Sequence, residues 1–214
     1  MTRLAILADI HGNLPALEAV LHDLQSFSVD QVVVAGDAIS WAPFSADVLE
    51  LITRERWPVI RGNHEYYLLD FNTSRAPSHW NEYSLLPWMH SQLNERWRKV
   101  VATWPDTLSL HFPDAPPLRI IHGAPNNPWK PLYAHSSDEE LAASLHGVGE
   151  NWIVAGHTHL VTDRHIKSSQ GKQWHLFNPG SVGVPLDGIR QASYMILHSD
   201  GGGWKPTFRR VPFD

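Results

Sequence analysis

The stretch LAILADIHGNLPALEAVLHDLQSFSVDQVVVAGD, residues 4–37, decides the fold class. Its two ends, residues 4–9 and 31–37, are continuous apolar runs, which are typical of strands in a sheet covered on both faces. Between them, residues 13–27 predict a helix with Asn13 as the N-cap and Pro15 in the first turn. A short strand–helix–strand unit of this kind predicts parallel pairing with a right-handed crossover.

The alternation continues for two more elements and then gives way to helices. Residues 45–56 predict a second helix, and residues 58–63 (PVIRGN) predict a third strand. Residues 64–104 are expected to be mostly helical, because apolar residues recur at intervals of three and four from Met89 to Trp104. We expect this aromatic-rich stripe to pack into the core.

The second half is rich in strands. Six of its segments are strand-like, and only residues 137–147 clearly predict a helix, with Ser137 and Glu140 as a capping box. We therefore expect a second, mixed or antiparallel sheet packed on the first. No internal repeat or low-complexity segment is visible, so the sequence predicts a single domain over residues 1–214.

Composition limits the functional classes. The chain has no cysteine, which excludes disulfides, thiolate nucleophiles and cysteine-based zinc sites. A net charge of −5 without a Lys/Arg cluster argues against an extended nucleic-acid surface, and we expect Arg209 and Arg210 to be solvated on an edge strand. No apolar run approaches the ~18 residues of a membrane span, and the first apolar run reads as a strand rather than a secretory signal. We expect a cytoplasmic protein.

Five apolar segments end at residues that can bind a metal ion. These residues are Asp9, His11, Asp37, Asn63, His64, Glu65, His122, His157 and His159. Residues two apart in an extended chain project to the same side, so His157 and His159 could aim both imidazoles at one point. Ligand sites of open α/β sheets gather beyond the carboxyl ends of the strands, and we therefore expect these side chains to converge.

This set of donors predicts a two-metal centre. Imidazole nitrogens with carboxylate and amide oxygens suit transition metals such as Mn, Fe or Zn. The seven predicted ligands are Asp9, His11, Asp37, Asn63, His122, His157 and His159. They are too many for one catalytic ion, but they fit two ions ~3.5–4 Å apart if Asp37 bridges them. Such a centre would attract a phosphoryl group and supply a metal-bridging hydroxide, while His64, oriented by Glu65 or Asp37, would assist the leaving group.

The ordered motifs DIHGN, GD, GNHE, HG and GHTH resemble those of the calcineurin-like metallophosphoesterase superfamily. HGAP and NPGSVGVPLDG (residues 178–188) resemble its small bacterial branch, which includes phosphodiesterases and diadenosine-polyphosphate hydrolases. The resemblance covers nearly the whole chain. It implies an α/β fold, a four-layer αββα sandwich of two mixed β-sheets flanked by helices. It also implies two divalent transition-metal ions, usually Mn, with Fe, Zn or Ni as substitutes.

The resemblance also assigns the residues to roles. Asp9, His11, Asp37 and His159 would bind the first ion, Asp37, Asn63, His122 and His157 the second, and His64 would be the catalytic histidine. We expect a metal-dependent phosphoric ester hydrolase that cleaves phosphodiesters or nucleotide polyphosphates. The alternatives are a non-catalytic scaffold of the same fold and a phosphomonoesterase or protein phosphatase.

The predicted rim of the site departs from the family pattern. The Asp-Arg-Gly motif of the protein phosphatases and symmetrical dinucleoside hydrolases is absent after Asp37, where the chain reads Ala38-Ile39-Ser40-Trp41. Trp41 could stack on a nucleobase or could simply pack at the cleft edge, and Gly180 and Ser181 are weaker candidates for substrate contact, since NPGS is also a turn sequence. We expect a small phosphoester or nucleotide as the partner, and the oligomeric state is left open.

Overall fold

The computed structural model describes all of residues 1–214, and its strands form two mixed sheets. The strands are β1 (Arg3–Leu7), β2 (Gln31–Val34), β3 (Leu108–Phe112), β4 (Ala115–Ile121), β5 (Trp152–Ala155), β6 (Thr162–Lys167), β7 (Gln173–Asn178), β8 (Ala192–Ser199) and β9 (Trp204–Val211). The first sheet has the order β2-β1-β8-β9 and the second β3-β4-β5-β7-β6. The β1–β2, β4–β5 and β5–β7 pairs are parallel, and the others are antiparallel.

Six α-helices connect and cover these strands. They are α1 (Leu14–Leu24), α2 (Ser45–Glu55), α3 (Asn63–Asp70), α4 (Leu85–Gln92), α5 (Glu95–Ala102) and α6 (Asp138–Ser144), with a 3₁₀ helix at Ser78–Glu82. Asn13 caps α1 by accepting from the Ala16 amide, and Ser137 forms a capping box with Glu140 at α6, as predicted. None of these helices has the length and apolar composition needed to cross a membrane.

The buried apolar side chains show the order of the layers. In β1, Ala5 and Leu7 belong to a cluster of 26 buried residues shared with α1, α2 and the helices of the 63–102 segment. Leu4 and Ile6, on the opposite face of the strand, belong to a cluster of 13 that joins the two sheets. A third cluster of 10 lies between the second sheet and α6. The fold is therefore the expected four-layer αββα sandwich.

Two strand predictions need correction. Residues 58–63 do not form a third strand, because only Val59 pairs, through one parallel bridge to Val34. Pro58 has no N–H to donate, and α3 already begins at Asn63. The strands of the second half do not all belong to the second sheet, since β8 pairs with β1 and β9 with β8 in the first sheet. Seven of the eight residues of β8 are buried, which suits a central position.

The 64–104 segment is mostly helical, as predicted, but it is interrupted. The side chain of Asn94 accepts from the Trp97 amide and starts α5 just after α4 has ended. The apolar stripe from Met89 onward therefore belongs to two helices. Met89, Leu93 and Trp97 are buried in the first cluster, which confirms that the stripe is part of the core.

Candidate metal centre

The structure brings all seven predicted ligands together. Five of them follow the last residues of β1, β4 and β5, Asp37 follows β2, and Asn63 is the first residue of α3. Three groups of metal-binding atoms each lie within 4.8 Å of one another: Asp9–His11–His159, His11–Asp37–His64 and Asp37–His122–His157. The other nine histidines belong to none of these groups.

Asp37 lies between the two ends of this cluster. Its Oδ2 is 3.8 Å from His11 Nε2 and 3.2 Å from His122 Nε2. Asp9 Oδ1 is 3.5 Å from His159 Nε2, and Asn63 Oδ1 is 3.1 Å from His122 Nε2. The carboxylate of Asp37 thus lies between His11 on one side of the cluster and His122 on the other.

Left-handed backbone turns aim these side chains. Asp9, His11, Asp37, His157 and His159 have φ angles between 51° and 67°. This region costs non-glycine residues roughly 1–2 kcal/mol each, and such strain is concentrated at functional sites. The turns stay in place because hydrogen bonds hold them, including one from the His11 amide to the Asp37 carbonyl at 2.9 Å.

Glu65 stabilises the turn at Asp37 through hydrogen bonds to backbone amides. Its buried carboxylate accepts from the backbone amides of Asp37 and Ala38, each at 2.9 Å, and of Gly62 at 2.7 Å. Burial and the charge of Asp37 raise the pKa of Glu65 to about 7, whereas the three N–H groups favour its ionised form. Glu65 therefore does not orient the His64 ring, and the carboxylate nearest that ring is Asp37, with Oδ2 4.0 Å from His64 Nε2.

Backbone carbonyls fix which nitrogen carries the proton in three of the imidazoles. His122 Nδ1 lies 2.9 Å from the Ala35 carbonyl, and His159 Nδ1 lies 2.5 Å from the Val184 carbonyl. His157 Nε2 lies 3.1 Å from the Trp129 carbonyl. A carbonyl only accepts, so the other nitrogen of each neutral ring is a lone-pair donor toward the cluster. Three imidazole lone pairs beside two carboxylates fit a divalent metal ion.

Among the histidines of the cluster, the pKa shifts agree with this chemistry except at His122. Burial lowers the pKa of His11 and His159, and it lowers that of His157 to about 4, which favours the neutral rings that metal binding requires. Burial also disfavours a charged His122, but Asp37 and Asp9 raise its pKa to about 10. The two carboxylates attract positive charge to this point, and a proton on His122 would compete there with a metal ion.

The three predicted substrate-contacting residues differ in position. Trp41 stacks on His11 with 4.7 Å between ring centroids and 15° between planes, and it is 44% exposed. Ser181 is fully buried, where its hydroxyl donates to the Asp9 carbonyl and accepts from the Val184 amide. Gly180 is buried beside it, with its amide bonded to Asn178. Of the three, only Trp41 is exposed, whereas Ser181 supports the Asp9 turn.

Two aromatic residues near the site were missed from the sequence. Tyr67 meets His64 edge to face, with ring centroids 5.2 Å apart. Its position three residues after His64 in α3 could have indicated this contact, since such residues share one helix face. Trp129 lies in the connection after β4 and supplies the carbonyl next to His157. Nothing in the local sequence pattern points to Trp129.

Comparisons with known proteins define the class. Residues 2–202 match the calcineurin-like phosphoesterase superfamily domain, and the chain belongs to this superfamily. Phosphodiesterase YfcE of Escherichia coli is 27% identical over 94% of this chain and 89% of its own length. An uncharacterized protein of Methanocaldococcus jannaschii is 28% identical over 99% of this chain and 88% of its own. The crystal structure of a metallophosphoesterase from Sphaerobacter thermophilus superposes with a TM-score of 0.76 at 25% identity, covering 100% of this chain and 89% of that one.

The family and the site together define the type of enzyme. The chain is a metal-dependent phosphoric ester hydrolase. Its His/Asp groups, with the lone pairs of three imidazoles turned inward, are the donors that divalent metal binding needs.

Proposed function

We propose that this hydrolase cleaves phosphodiesters or nucleotide polyphosphates with two divalent ions held around Asp37. The observation that carries the proposal is the position of Asp37 Oδ2, within 3.8 Å of His11 Nε2 and 3.2 Å of His122 Nε2. A single oxygen atom this close to both imidazoles is placed to bind an ion on each side. A small phosphoester is the expected substrate, because the donors lie in a buried cluster rather than on an extended surface.

We divide the ligands between the two proposed ions as the family resemblance does, and the groups Asp9–His11–His159 and Asp37–His122–His157 support this division. Asp9, His11, Asp37 and His159 would hold the first ion, and Asp37, Asn63, His122 and His157 the second. We propose manganese, with Fe, Zn or Ni as substitutes, because nitrogen and oxygen donors without thiolates suit these metals. When bound, the ions supply positive charge for the phosphoryl group and lower the pKa of water, so that a nucleophile forms at neutral pH.

His64 is the proposed proton donor to the leaving oxygen. Its Nε2 faces Asp37, whereas its Nδ1 is buried without a hydrogen-bond partner. Burial lowers the pKa of His64, and Asp37 partly offsets this. The ring protonated beside Asp37 would pass a proton to the ester oxygen that departs and return to the neutral form that burial favours.

The rest of the chain fits a single catalytic unit. Both sheets contribute ligands, since Asp9 follows a strand of the first sheet and His157 a strand of the second. We propose on this basis that residues 1–214 act as one domain. Trp41 would form the wall of the substrate cleft above His11. Location in the cytoplasm stays a prediction of the sequence.

Turnover by metal-loaded protein tests the proposed function. Protein stripped with a chelator and reloaded with Mn should hydrolyse bis(p-nitrophenyl) phosphate with a higher kcat/KM than p-nitrophenyl phosphate. Chelated protein is the control and should be inactive. A preference for the monoester, or equal rates with and without metal, would contradict the proposal.

A further inference from the structure

A pocket of about 340 Å³ opens beside the candidate metal centre on the side of His64. It is lined mainly by Tyr67, Asp70, Arg75, His79, Trp80 and Trp129. Its volume lies within the range of small-molecule sites, which is about 300–1,000 Å³. None of these six residues is among the proposed metal ligands.

The pocket and the candidate metal centre share their supporting elements. Tyr67 lies on α3, the helix that begins with Asn63 and His64, and its ring touches that of His64 at 5.2 Å. Trp129 lies in the connection that starts at His122, and its carbonyl is 3.1 Å from His157 Nε2. The Tyr67 ring thus lies between His64 and the pocket, which places the pocket one aromatic side chain away from the candidate metal centre.

The walls of the pocket are aromatic and its edge is charged. Trp80 packs edge to face on Tyr67 at 4.7 Å, and Trp129 does so at 6.3 Å. Trp80 is buried, but Trp129 is 39% exposed, so an indole surface remains open. At the same pocket, Arg75 pairs with Asp70 at 2.6 Å, so that the guanidinium offers hydrogen-bond donors and the carboxylate offers acceptors. Aromatic walls with a polar edge suit a flat ring that carries polar groups.

We propose that this pocket binds the planar aromatic group, a nucleobase or an aryl ring, of the phosphoester substrate, with Trp129 as the residue that determines this specificity. The inference rests on the proposed function, because the phosphate must lie at the metal centre. Base–aromatic stacking strengthens binding by roughly 5- to 150-fold per base. Substrates without an aromatic group should lack this gain.

The gain in affinity is measured on Mn-loaded protein with pairs of ligands, of which one member carries an aromatic group and the other does not. AMP against ribose 5-phosphate tests a nucleobase, and phenyl phosphate against methyl phosphate tests an aryl ring. The affinity of each ligand is measured by titration calorimetry and, independently, from its competitive inhibition of bis(p-nitrophenyl) phosphate hydrolysis. The aromatic member of at least one pair should bind roughly fivefold tighter or more. The pair that shows the preference identifies the kind of ring, and equal affinities in both pairs would overturn the inference.

Trp129→Ala tests the residue itself. This substitution removes the indole but keeps the backbone carbonyl next to His157, so metal content should equal that of the wild type. The aromatic preference should disappear, KM should rise about fivefold or more, and kcat should change little, while Trp129→Phe should restore part of the preference. Tyr133→Ala is the matched control, because Tyr133 lies in the same connection, is 37% exposed and stacks on His135 instead of lining the pocket.

The outcomes separate this inference from the proposed function. Absence of diester turnover in Mn-loaded wild type refutes the proposed function, and the inference with it. Turnover without an aromatic preference refutes only the inference. Loss of metal in Trp129→Ala would show that the indole supports the metal centre, and this would also overturn its assignment as a specificity residue.

Discussion

Gly62→Ala should displace the Asp37 carboxylate without changing any donor atom. A Cβ at position 62 would lie 2.1 Å from Asp37 Oδ1 and 2.7 Å from the Asp37 amide nitrogen. Real Cβ contacts essentially never fall below 3.0 Å, so the carboxylate has to move by about 1 Å. The backbone at Gly62 has φ −102° and ψ −171°, which alanine adopts without strain. The effect is therefore steric and acts on Asp37.

The size of the effect follows from this displacement. A misplacement of about 1 Å in a catalytic group costs on the order of 10²-fold in rate, and overpacking a dense site costs roughly 1–3 kcal/mol of stability. Oδ1 also accepts from the His64 amide at 2.9 Å, so the same shift disturbs the start of α3. We expect a fall in kcat of about 100-fold with reduced metal content.

The assay compares Gly62→Ala with Gly149→Ala, both loaded with Mn. Gly149 has no heavy atom within 4 Å of its added Cβ and is the matched control. Hydrolysis of bis(p-nitrophenyl) phosphate, bound metal and Tm are measured for each. A Gly62→Ala variant with normal kcat and normal metal content would refute the conclusion that the position of Asp37 matters.

Two further predictions concern catalysis and stability. His64→Ala should keep the wild-type metal content but lower kcat by ~10²–10⁴-fold, because it removes a proton donor and not a ligand; stopped turnover together with lost metal would make His64 a ligand instead. Asp23→Asn should lower the free energy of unfolding by about 1–3 kcal/mol at pH 7, since Asp23 accepts from Arg209 at 2.8 Å and from the Tyr194 hydroxyl at 2.6 Å. Arg209 holds the pKa of Asp23 below its usual value, so this stabilisation is present above pH ~4 and is lost as the pH falls through the lower folded-state pKa. Urea unfolding between pH 3 and 7 checks this, and a constant difference across that range would contradict it.

The fold could be predicted where local pattern decides it. Continuous apolar runs predicted β1 and β2, the segment between them predicted α1, and the capping residues Asn13 and Ser137 marked true helix starts. Strand pairing is different, because the sequence of β8 shows that it is buried but not which strand lies beside it. The residues of its partner, β1, are 189 to 195 positions away along the chain. Only the packing of both sheets decides that β8 and β9 complete the first sheet.

Edge residues show the same limit. Arg209 and Arg210 lie on the edge strand β9, as predicted, but they pair with Asp23 and Asp187 instead of remaining solvated. Arg209 and Asp23 are far apart in sequence, and no local pattern joins them.

The metal-binding residues of the candidate site could be predicted from the sequence, but the groups that hold them in position could not. Asp, Asn and His at the ends of apolar runs are visible in the sequence, and the rule for strand ends brings them together. The carbonyls of Ala35, Val184 and Trp129 fix the imidazoles, but every residue has a carbonyl, so the sequence cannot mark these three. Of the two residues predicted to orient the His64 ring, Glu65 does not contact it, because its position as the third residue of α3 turns its carboxylate back to backbone amides.

Metal stoichiometry in wild type and Asp37→Asn is the most direct test of a shared carboxylate. Elemental analysis of Mn-loaded wild type should find two ions per chain. Asp37→Asn replaces one oxygen of the carboxylate and removes its charge, so occupancy of both positions should fall together and turnover should stop. Retention of one full equivalent of metal in Asp37→Asn would contradict the bridging position, and a single ion in the wild type would contradict the two-metal centre itself.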